Sequence, residues 1–307
     1  MSCRHSEAVA IEIQGGGGMN IDAGRYWDKA WTLVDGCTPV SAGCANCWSA
    51  GMTHRFKQGL TDDKGRWTGE MIIRESRLEL PFRTKKPTVW AVWNDLFHVN
   101  VPIDFIANVF DVMASWRFAC KKKHEHDEDC KTEDMDHTYL ILTKHPERMK
   151  KIIDEIPAYI DEKCGGDTPL SLGVQYGDWP LKNIYLGTTV ENQQAADERI
   201  PHLLQIPGKK FLSIEPVLSD IIIPQEQMIE QVILGGETGP KARPLHPDWV
   251  RSVRDQCQES RVPFFFKGWG TYKAANDWTI PAGRILDGKT HDDLAWSKTN
   301  KCQTTKS

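Results

Sequence analysis

Three cysteines close together near the start of the chain are the residues whose types and spacing most clearly indicate chemistry. Cys37, Cys44 and Cys47 form a C-x6-C-x2-C pattern within eleven residues, and Gly36 and Gly43 in the same stretch predict a loop. A loop with three thiolates fits an iron–sulfur cluster better than structural zinc, which takes four protein ligands. A cluster with one iron not held by protein would have an open position for a further ligand.

Two other interpretations of this triad remain. The three thiols can be unconnected core residues, because free cysteine is among the most buried residue types. They can also bind zinc together with a fourth ligand from elsewhere, for example His54. A loop rich in glycine and proline is atypical of a core, and this loop follows a predicted strand. Both features favour the iron–sulfur cluster.

A second group of metal-type residues interrupts the link between a predicted helix and the third predicted strand. Two cysteines and two histidines within eleven residues can supply four zinc ligands, namely Cys120, His124, His126 and Cys130. Their C-x3-H-x-H-x3-C spacing is not that of a standard zinc finger, and the segment is highly charged. The alternative is therefore a charged insertion that binds no metal.

The composition is that of a soluble globular protein. The 307 residues are 40% hydrophobic and 26% charged, and no apolar run approaches the roughly 20 residues that span a bilayer. The formal net charge of −4 does not indicate a general electrostatic attraction to nucleic acid. Local basic patches are compatible with this net charge. Nine cysteines, an odd number, and no secretory signal predict a reducing, cytoplasmic setting without a membrane partner.

Short apolar runs alternate with helical patterns along most of the chain. Continuous apolar strands separated by helices predict parallel strands that are buried on both faces. The predicted strands are residues 30–34, 88–93, 138–142, 183–187, 210–214, 231–234 and 262–266, and the predicted helices lie at 103–117, 146–153, 192–204 and 247–259. The predicted fold class is α/β, a partial (βα)6–7 TIM-type barrel with a cluster-binding loop after strand 1. A doubly wound sheet is the alternative.

Three regions are expected along the chain. Residues 1–24 are predicted to be a flexible leader, because they contain four consecutive glycines. Residues 25–270 form the predicted barrel, with the charged Cys/His insertion at about 118–137. Residues 271–307 form a C-terminal extension.

Polar side chains follow almost every predicted strand. Ligands of both barrel and doubly wound folds bind beyond the carboxyl ends of the strands, so these side chains predict one polar rim around a mouth. The alternative for each is the ordinary polarity of a solvated loop.

The cysteine loop after the first strand, with Trp48 directly after its last cysteine, resembles that of the radical S-adenosylmethionine (SAM) superfamily. The commonest superfamily spacing is C-x3-C-x2-C, whereas the first gap here is six residues. The chain is most similar to a phage and prophage family with radical-SAM-like features, linked in some members to thymine hypermodification of phage DNA. Residues 36–47, 94–98, 142–149, 187–192, 213–216, 235–244 and 264–270 carry this resemblance. His145 and Gly268 stand where the family pattern has Arg and Gln, which leaves the substrate open.

The resemblance implies an enzyme. It implies that Cys37, Cys44 and Cys47 hold three irons of a [4Fe–4S] cluster and that SAM binds the fourth. The implied reaction cleaves SAM and abstracts hydrogen from a substrate, as a rearrangement (isomerase) of an amino-acid-modified thymine in phage DNA inside the bacterial host. It also implies an electron donor such as flavodoxin or ferredoxin. The alternatives are a non-catalytic metal- or cluster-binding nucleic-acid module and a radical SAM enzyme with a small-molecule substrate.

Positions after the predicted strands give the expected site residues. The expected catalytic residues are Lys144, Glu237 and Lys267. The expected cofactor-binding residues are Asn94, Asp95, Thr189, Glu191, Asn192, Glu215, Gly235 and Gly236. For each of them the alternative is a helix N-cap or a turn. A flipped base would also need stacking partners, for which Trp90, Trp93 and Trp269 are candidates, although core packing is the alternative for Trp90.

Overall fold

Seven parallel strands form one curled, half-barrel sheet whose strand order follows the chain. The computed structural model describes residues 19–123, 136–164, 168–175, 179–224, 226–272 and 283–297. The sheet runs in the order β1 (Lys29–Thr32), β4 (Val89–Trp93), β5 (Thr138–Thr143), β6 (Ile184–Thr189), β7 (Lys209–Ile214), β8 (Gln231–Gly235) and β9 (Phe264–Gly268). All seven predicted strands are confirmed, with ends shifted by at most two residues. The mixed α/β class is confirmed as well.

Within the described residues, β7 and β8 are separated by only a short 3-10 helix (Glu226–Met228), whereas α-helices lie between the other successive strands of this sheet. These α-helices are α1 (Trp48–Arg55), α2 (Ile103–Lys123), α3 (Pro146–Cys164), α4 (Pro169–Gln175), α5 (Gln193–Leu204) and α6 (Pro247–Glu259). The strands alternate their side chains between two faces. In β5, Tyr139 and Ile141 belong to the large core shared with the helices, whereas Leu140 faces the inside of the curl. Within the described ranges, no helix combines the length and the apolar character that crossing a membrane requires.

A small two-stranded sheet is formed by one strand before the cysteine loop and one strand after it, and it is absent from the sequence prediction. Strand β2 (Val34–Gly36) pairs antiparallel with β3 (Met71–Ile73). Gly36 ends β2 with φ of 99°, and a Cβ there would lie 2.0 Å from the carbonyl oxygen of Glu70. Only glycine therefore fits directly before Cys37, because this backbone conformation and this close approach both exclude a side chain.

The two ends of the described chain meet inside the curl. Phe211 and Phe265 face inward and pack with Tyr26 and Trp296, and the Trp296 indole N–H donates to the carbonyl of Tyr26 at 2.9 Å. Gln231 at the start of β8 donates to the Asp293 carbonyl at 3.0 Å and so fixes the tail. Residues 19–24 of the predicted leader and 283–297 of the predicted extension therefore pack as part of this unit. Residues 1–18, 273–282 and 298–307 lie outside the described residues.

Candidate active site

A cavity of about 280 Å³ lies at the carboxyl ends of the strands and contains all three cysteines of the triad in its wall. Its ionisable lining residues besides the cysteines are Tyr26, Asp95, Lys144, His145, Glu215 and Lys267. A more open depression of about 470 Å³ is lined by Gly239, Pro240, Ala242, Thr271 and Tyr272. Its lining offers only one ionisable side chain, a tyrosine. Of the two, the cavity with the cysteines therefore has the larger set of ionisable groups that a reaction could use.

The cysteine loop, defined here as residues 37–47, brings the three thiols to this cavity. Cys37 follows β2, Cys44 ends a short 3-10 turn and Cys47 precedes α1; each is half-buried and unpaired. Burial, with the nearby charges of Asp95 and Cys44, raises the pKa of Cys37 to about 12. A bound cation would offset that cost by replacing the proton, since thiolate is the form that binds metals.

The donor set of this loop consists of three thiols, the type of protein ligand that holds iron–sulfur clusters. Among the described residues, no three His, Cys, Asp or Glu side chains converge as the ligands of a single ion do. A [4Fe–4S] cluster attaches each thiolate to a different iron, so its ligands need not converge on one point. The remaining cysteine with a described side chain, Cys257, is buried in α6. Three soft thiolates on one loop therefore fit three of the four positions of such a cluster.

Glu191, after β6, anchors the middle of the cysteine loop. Its carboxylate accepts the Gly43 backbone N–H at 3.4 Å and pairs with Arg199 of α5 at 2.8 Å. The Glu191 side chain is 1% exposed. Burial raises its pKa, but a hydrogen bond from Ser41 and the Arg199 charge outweigh this and leave the pKa below its usual value. Glu191 is thus an ionised tether, and it does not line the cavity.

Glu237, after β8, anchors the end of the cysteine loop in the same way. It accepts the side-chain N–H of Asn46 at 3.0 Å, and Asn46 also donates to the Lys241 carbonyl at 2.9 Å. Arg243 donates its backbone N–H and its guanidinium to the same carboxylate at 2.8 Å. Burial opposes ionisation, yet these hydrogen bonds hold the pKa of Glu237 below its usual value. Glu237 therefore contacts the loop between two of the cysteines.

Two further side chains secure the ends of the loop. Asn94, after β4, donates to the Val34 carbonyl at 2.6 Å and accepts from the Ser49 hydroxyl at 3.1 Å. Buried His98 contacts the Thr38 hydroxyl at 2.8 Å through Nε2. The loop is thus held at its start, middle and end by residues that follow β4, β6 and β8.

Asp95 joins the ends of two neighbouring strands. Its carboxylate accepts the Thr143 hydroxyl at 2.6 Å and the Lys144 backbone N–H at 3.1 Å, and the His145 ring lies 3.9 Å away. Asp95 therefore holds Thr143 and Lys144 in place at the carboxyl end of β5, where both residues line the cavity. The ammonium of Lys144 has no hydrogen bond or ion pair within the described part of the chain, and its charge lowers the pKa of Cys37.

On another wall, Glu215 and Lys267 form an ion pair at 2.6 Å. The second carboxylate oxygen of Glu215, Oε1, is buried and has no hydrogen-bond partner among the described residues. A buried acceptor without a partner costs free energy, so a bound ligand with a donor group would stabilise it. Glu215 is consequently the strongest candidate for direct contact with a ligand.

Three tryptophans form an aromatic wall at the mouth, defined as Trp27, Trp48 and Trp93. Trp93 lies 5.4 Å from Trp27 and 5.1 Å from Trp48, in edge-to-face contact with both. All three line the cavity. By contrast, Trp90 and Trp269 are each 3% exposed and belong to the core. Of the three tryptophans considered for stacking, only Trp93 meets the cavity.

A family model described as protein of unknown function (DUF5131) matches residues 23–295. The chain belongs to this family. The DUF5131 match spans the whole parallel sheet, the cysteine loop and the described tail that fills the curl. Comparison with curated proteins and with solved structures gave no match. The description of this family assigns no activity to its members.

Within the DUF5131 match, the predicted site residues separate into two groups. Those that line the cavity are Asn94, Asp95, Lys144, Thr189, Glu215 and Lys267, with the three cysteines. Those that do not are Glu191, Asn192, Gly235, Gly236 and Glu237. Asn192 caps α5 by accepting the Ala195 N–H at 2.8 Å. A Cβ on Gly236 would lie 2.1 Å from the Trp269 carbonyl oxygen, so this glycine permits close backbone packing.

Other site residues were missed or cannot be placed. Asn46, His98 and Arg199 were not expected as individual site residues, although Asn46 and His98 fall within the stretches that carry the family resemblance. Arg199 gives no local signal, since it lies within an ordinary helical pattern. Of the second metal candidate, His124, His126 and Cys130 lie outside the described residues, as does the side chain of Cys120.

Proposed function

We propose that this chain is a radical SAM enzyme whose half-barrel is a partial (βα)6–7 TIM-type barrel. The observation that carries the proposal is the triad of thiols on one tethered loop, lining one cavity at the carboxyl ends of parallel strands. Three protein thiolates leave one iron of a [4Fe–4S] cluster for another ligand. Cys37, Cys44 and Cys47 would hold the cluster. When bound, the cluster and SAM supply a 5′-deoxyadenosyl radical that abstracts hydrogen from the substrate.

The other cavity residues have distinct tasks under this proposal. Glu215 accepts a ligand hydroxyl or ammonium through its unpaired Oε1, and the ion pair with Lys267 orients that carboxylate. The free ammonium of Lys144 attracts a ligand carboxylate, because no protein group neutralises it in the described part of the chain. Glu191, Glu237, Asn94 and His98 hold the loop so that the thiols keep one arrangement before the metal arrives.

The proposed substrate is an amino-acid-modified thymine of phage DNA, rearranged within the reducing cytoplasm of a bacterial host. The aromatic wall supports this substrate class, because flat aromatic faces stack on bases that have left the duplex. Lys144 and Lys267 add positive charge beside the cavity for an anionic group. The reaction also requires an electron donor of the flavodoxin or ferredoxin type.

Anaerobic reconstitution with iron and sulfide tests the cluster. The wild-type protein should become brown, bind about four irons and, with dithionite, convert SAM to 5′-deoxyadenosine. Cys44→Ala should lose most of the iron and all of the activity. Cys257→Ala is the matched control, because Cys257 is remote from the loop in α6 and should retain both. A colourless wild-type protein that holds only zinc at the triad would overturn the proposal.

A labelling experiment tests the substrate. The enzyme is incubated with DNA in which the modified thymine carries deuterium on its amino-acid substituent. Transfer of deuterium into 5′-deoxyadenosine is expected. Formation of 5′-deoxyadenosine without deuterium, from any modified DNA tried, would exclude this substrate while leaving the radical SAM assignment intact.

A further inference from the structure

Helix α1, which begins directly after Cys47, turns its apolar side toward solvent. Trp48, Met52 and Phe56 are 49%, 37% and 47% exposed, whereas Ala50 is the one fully buried residue of the helix. Their spacing of four places all three within an arc of about 80° around the helix axis. Apolar residues of a surface helix normally face the core, so this reversal marks a face that is built for a partner.

The same face is positively charged on a protein that is negative overall. Arg55 lies about 20° around the axis from Trp48, and Lys57 follows the end of the helix. Both are exposed, and neither forms an ion pair within the described ranges. Of the two acidic residues that follow, Asp62 is already paired with Arg66 at 2.8 Å, and Asp63 is exposed next to exposed Lys64. The whole chain has a net charge of −4, so this face differs from the overall charge of the protein. Its cations and apolar side chains are complementary to an acidic surface of a partner.

We propose that this α1 face, formed by Met52, Arg55, Phe56 and Lys57 next to Trp48 of the aromatic wall, docks a small acidic electron-carrier protein. This inference rests on the proposed radical SAM function, because reductive cleavage of the carbon–sulfur bond of SAM consumes one electron. The described side chains include no electron source. Each flavodoxin hydroquinone would become a semiquinone for each SAM cleaved. The face adjoins both Cys47 and the cavity mouth, since Trp48 belongs to the helix and lines the cavity.

The size and chemistry of the face favour a protein over nucleic acid. Eight helical residues span about 12 Å, which suits the small interfaces of transient redox encounters. Met52 and Phe56 have no hydrogen-bond donor for phosphate oxygens. Two unpaired cations are also few for binding nucleic acid, which depends on many contacts to phosphates. An apolar centre with a charged rim is the usual anatomy of a protein interface.

Titration of a bacterial flavodoxin into the protein before iron loading tests the surface without relying on activity. Binding should weaken with salt, and Met52→Glu and Arg55→Glu should each weaken it about tenfold. Met228→Glu is the control, because Met228 is 44% exposed and lies before β8, away from α1. Unchanged thermal unfolding of all three variants establishes that they fold.

Turnover with two reductants separates this inference from the proposed function. For Met52→Glu and Arg55→Glu, 5′-deoxyadenosine formation should fall with reduced flavodoxin and stay at the wild-type rate with dithionite. Wild-type flavodoxin affinity in both variants would overturn the docking surface. So would loss of binding to a single-stranded oligonucleotide while flavodoxin still binds, which would assign the face to nucleic acid. Absence of product with dithionite in the wild type would instead refute the proposed function.

Discussion

The tether between Glu191 and the cysteine loop gives a prediction that needs no cofactor. Glu191 and Arg199 pair at 2.8 Å with side chains 1% and 9% exposed. Removing one partner of such a buried pair costs about 3–5 kcal/mol, because the other charge stays buried. Arg199 retains a hydrogen bond to the Thr189 carbonyl at 2.7 Å, so Glu191→Gln should cost about 3 kcal/mol of unfolding free energy, the lower end of that range.

The expected change in melting temperature follows from the length of the chain. At about 2.1 cal/mol/K per residue, 307 residues give an unfolding entropy of about 0.65 kcal/mol/K. A loss of about 3 kcal/mol then lowers the Tm by about 5 °C. Thermal unfolding of the iron-free protein measures this. Glu155→Gln is the matched control, because that carboxylate is 49% exposed, 3.9 Å from Lys151, and should shift the Tm by about 1 °C or less.

Two further measurements test the physical cause. The pKa of Glu191 is lowered on folding, so its contribution is present above the unfolded pKa of about 4.3 and is lost as pH falls through the folded pKa. The difference between wild type and Glu191→Gln should therefore shrink in acid. A Glu191→Leu/Arg199→Met double variant should be less destabilised than the sum of its single variants. Equal Tm and equal iron uptake in Glu191→Gln and wild type would refute the tether.

Three more predictions concern the scaffold. Burial lowers the pKa of His137 to about 4, and its Nδ1 accepts the Thr88 N–H. The unfolding free energy of the wild type, measured in urea, should therefore fall by up to about 3 kcal/mol between pH 6.5 and pH 4. His137→Asn should reduce this dependence on pH. Gly36→Ala should lower the Tm through its clash with Glu70, whereas Gly51→Ala, with open space around it in α1, should raise stability by about 0.5–1 kcal/mol. Deleting residues 283–307 should abolish soluble expression by exposing the inner aromatic face, and deleting 298–307 is the control.

The sequence predicted the sheet well because each strand is a continuous apolar run that is buried on both faces. The β2–β3 pair was missed, since three-residue strands are too short to show the alternation of side chains that marks a strand. Helix α1 was missed for a different reason: its apolar residues face solvent, so its pattern is not tied to a core. Both elements that were not predicted border the cysteine loop. There the local sequence pattern does not reflect the contacts that the residues make in the folded protein.

The sequence predicted which edge of the sheet carries the site, but it did not predict the contacts that the site residues make. The rule that ligands bind beyond strand ends placed the cysteines, Lys144, Glu215 and Lys267 at one cavity. It could not separate cavity-lining residues from tethers. Glu191 and Glu237 meet their loop partners across 148 and 191 residues of sequence, and no local pattern encodes such pairs. Whether a carboxylate faces a ligand or a backbone amide is decided by the three-dimensional fold.

The same separation constrains when the loop can become competent during biosynthesis. The cysteines leave the ribosome early, but the carboxylate that holds Asn46 follows 191 residues later. At 5–20 residues per second this delay is on the order of 10–40 s. The strand β9 and the tail that closes the inner aromatic face come later still. Throughout that interval the three thiols are on an untethered chain, so the loop can reach its final arrangement only after Glu237 has been synthesised.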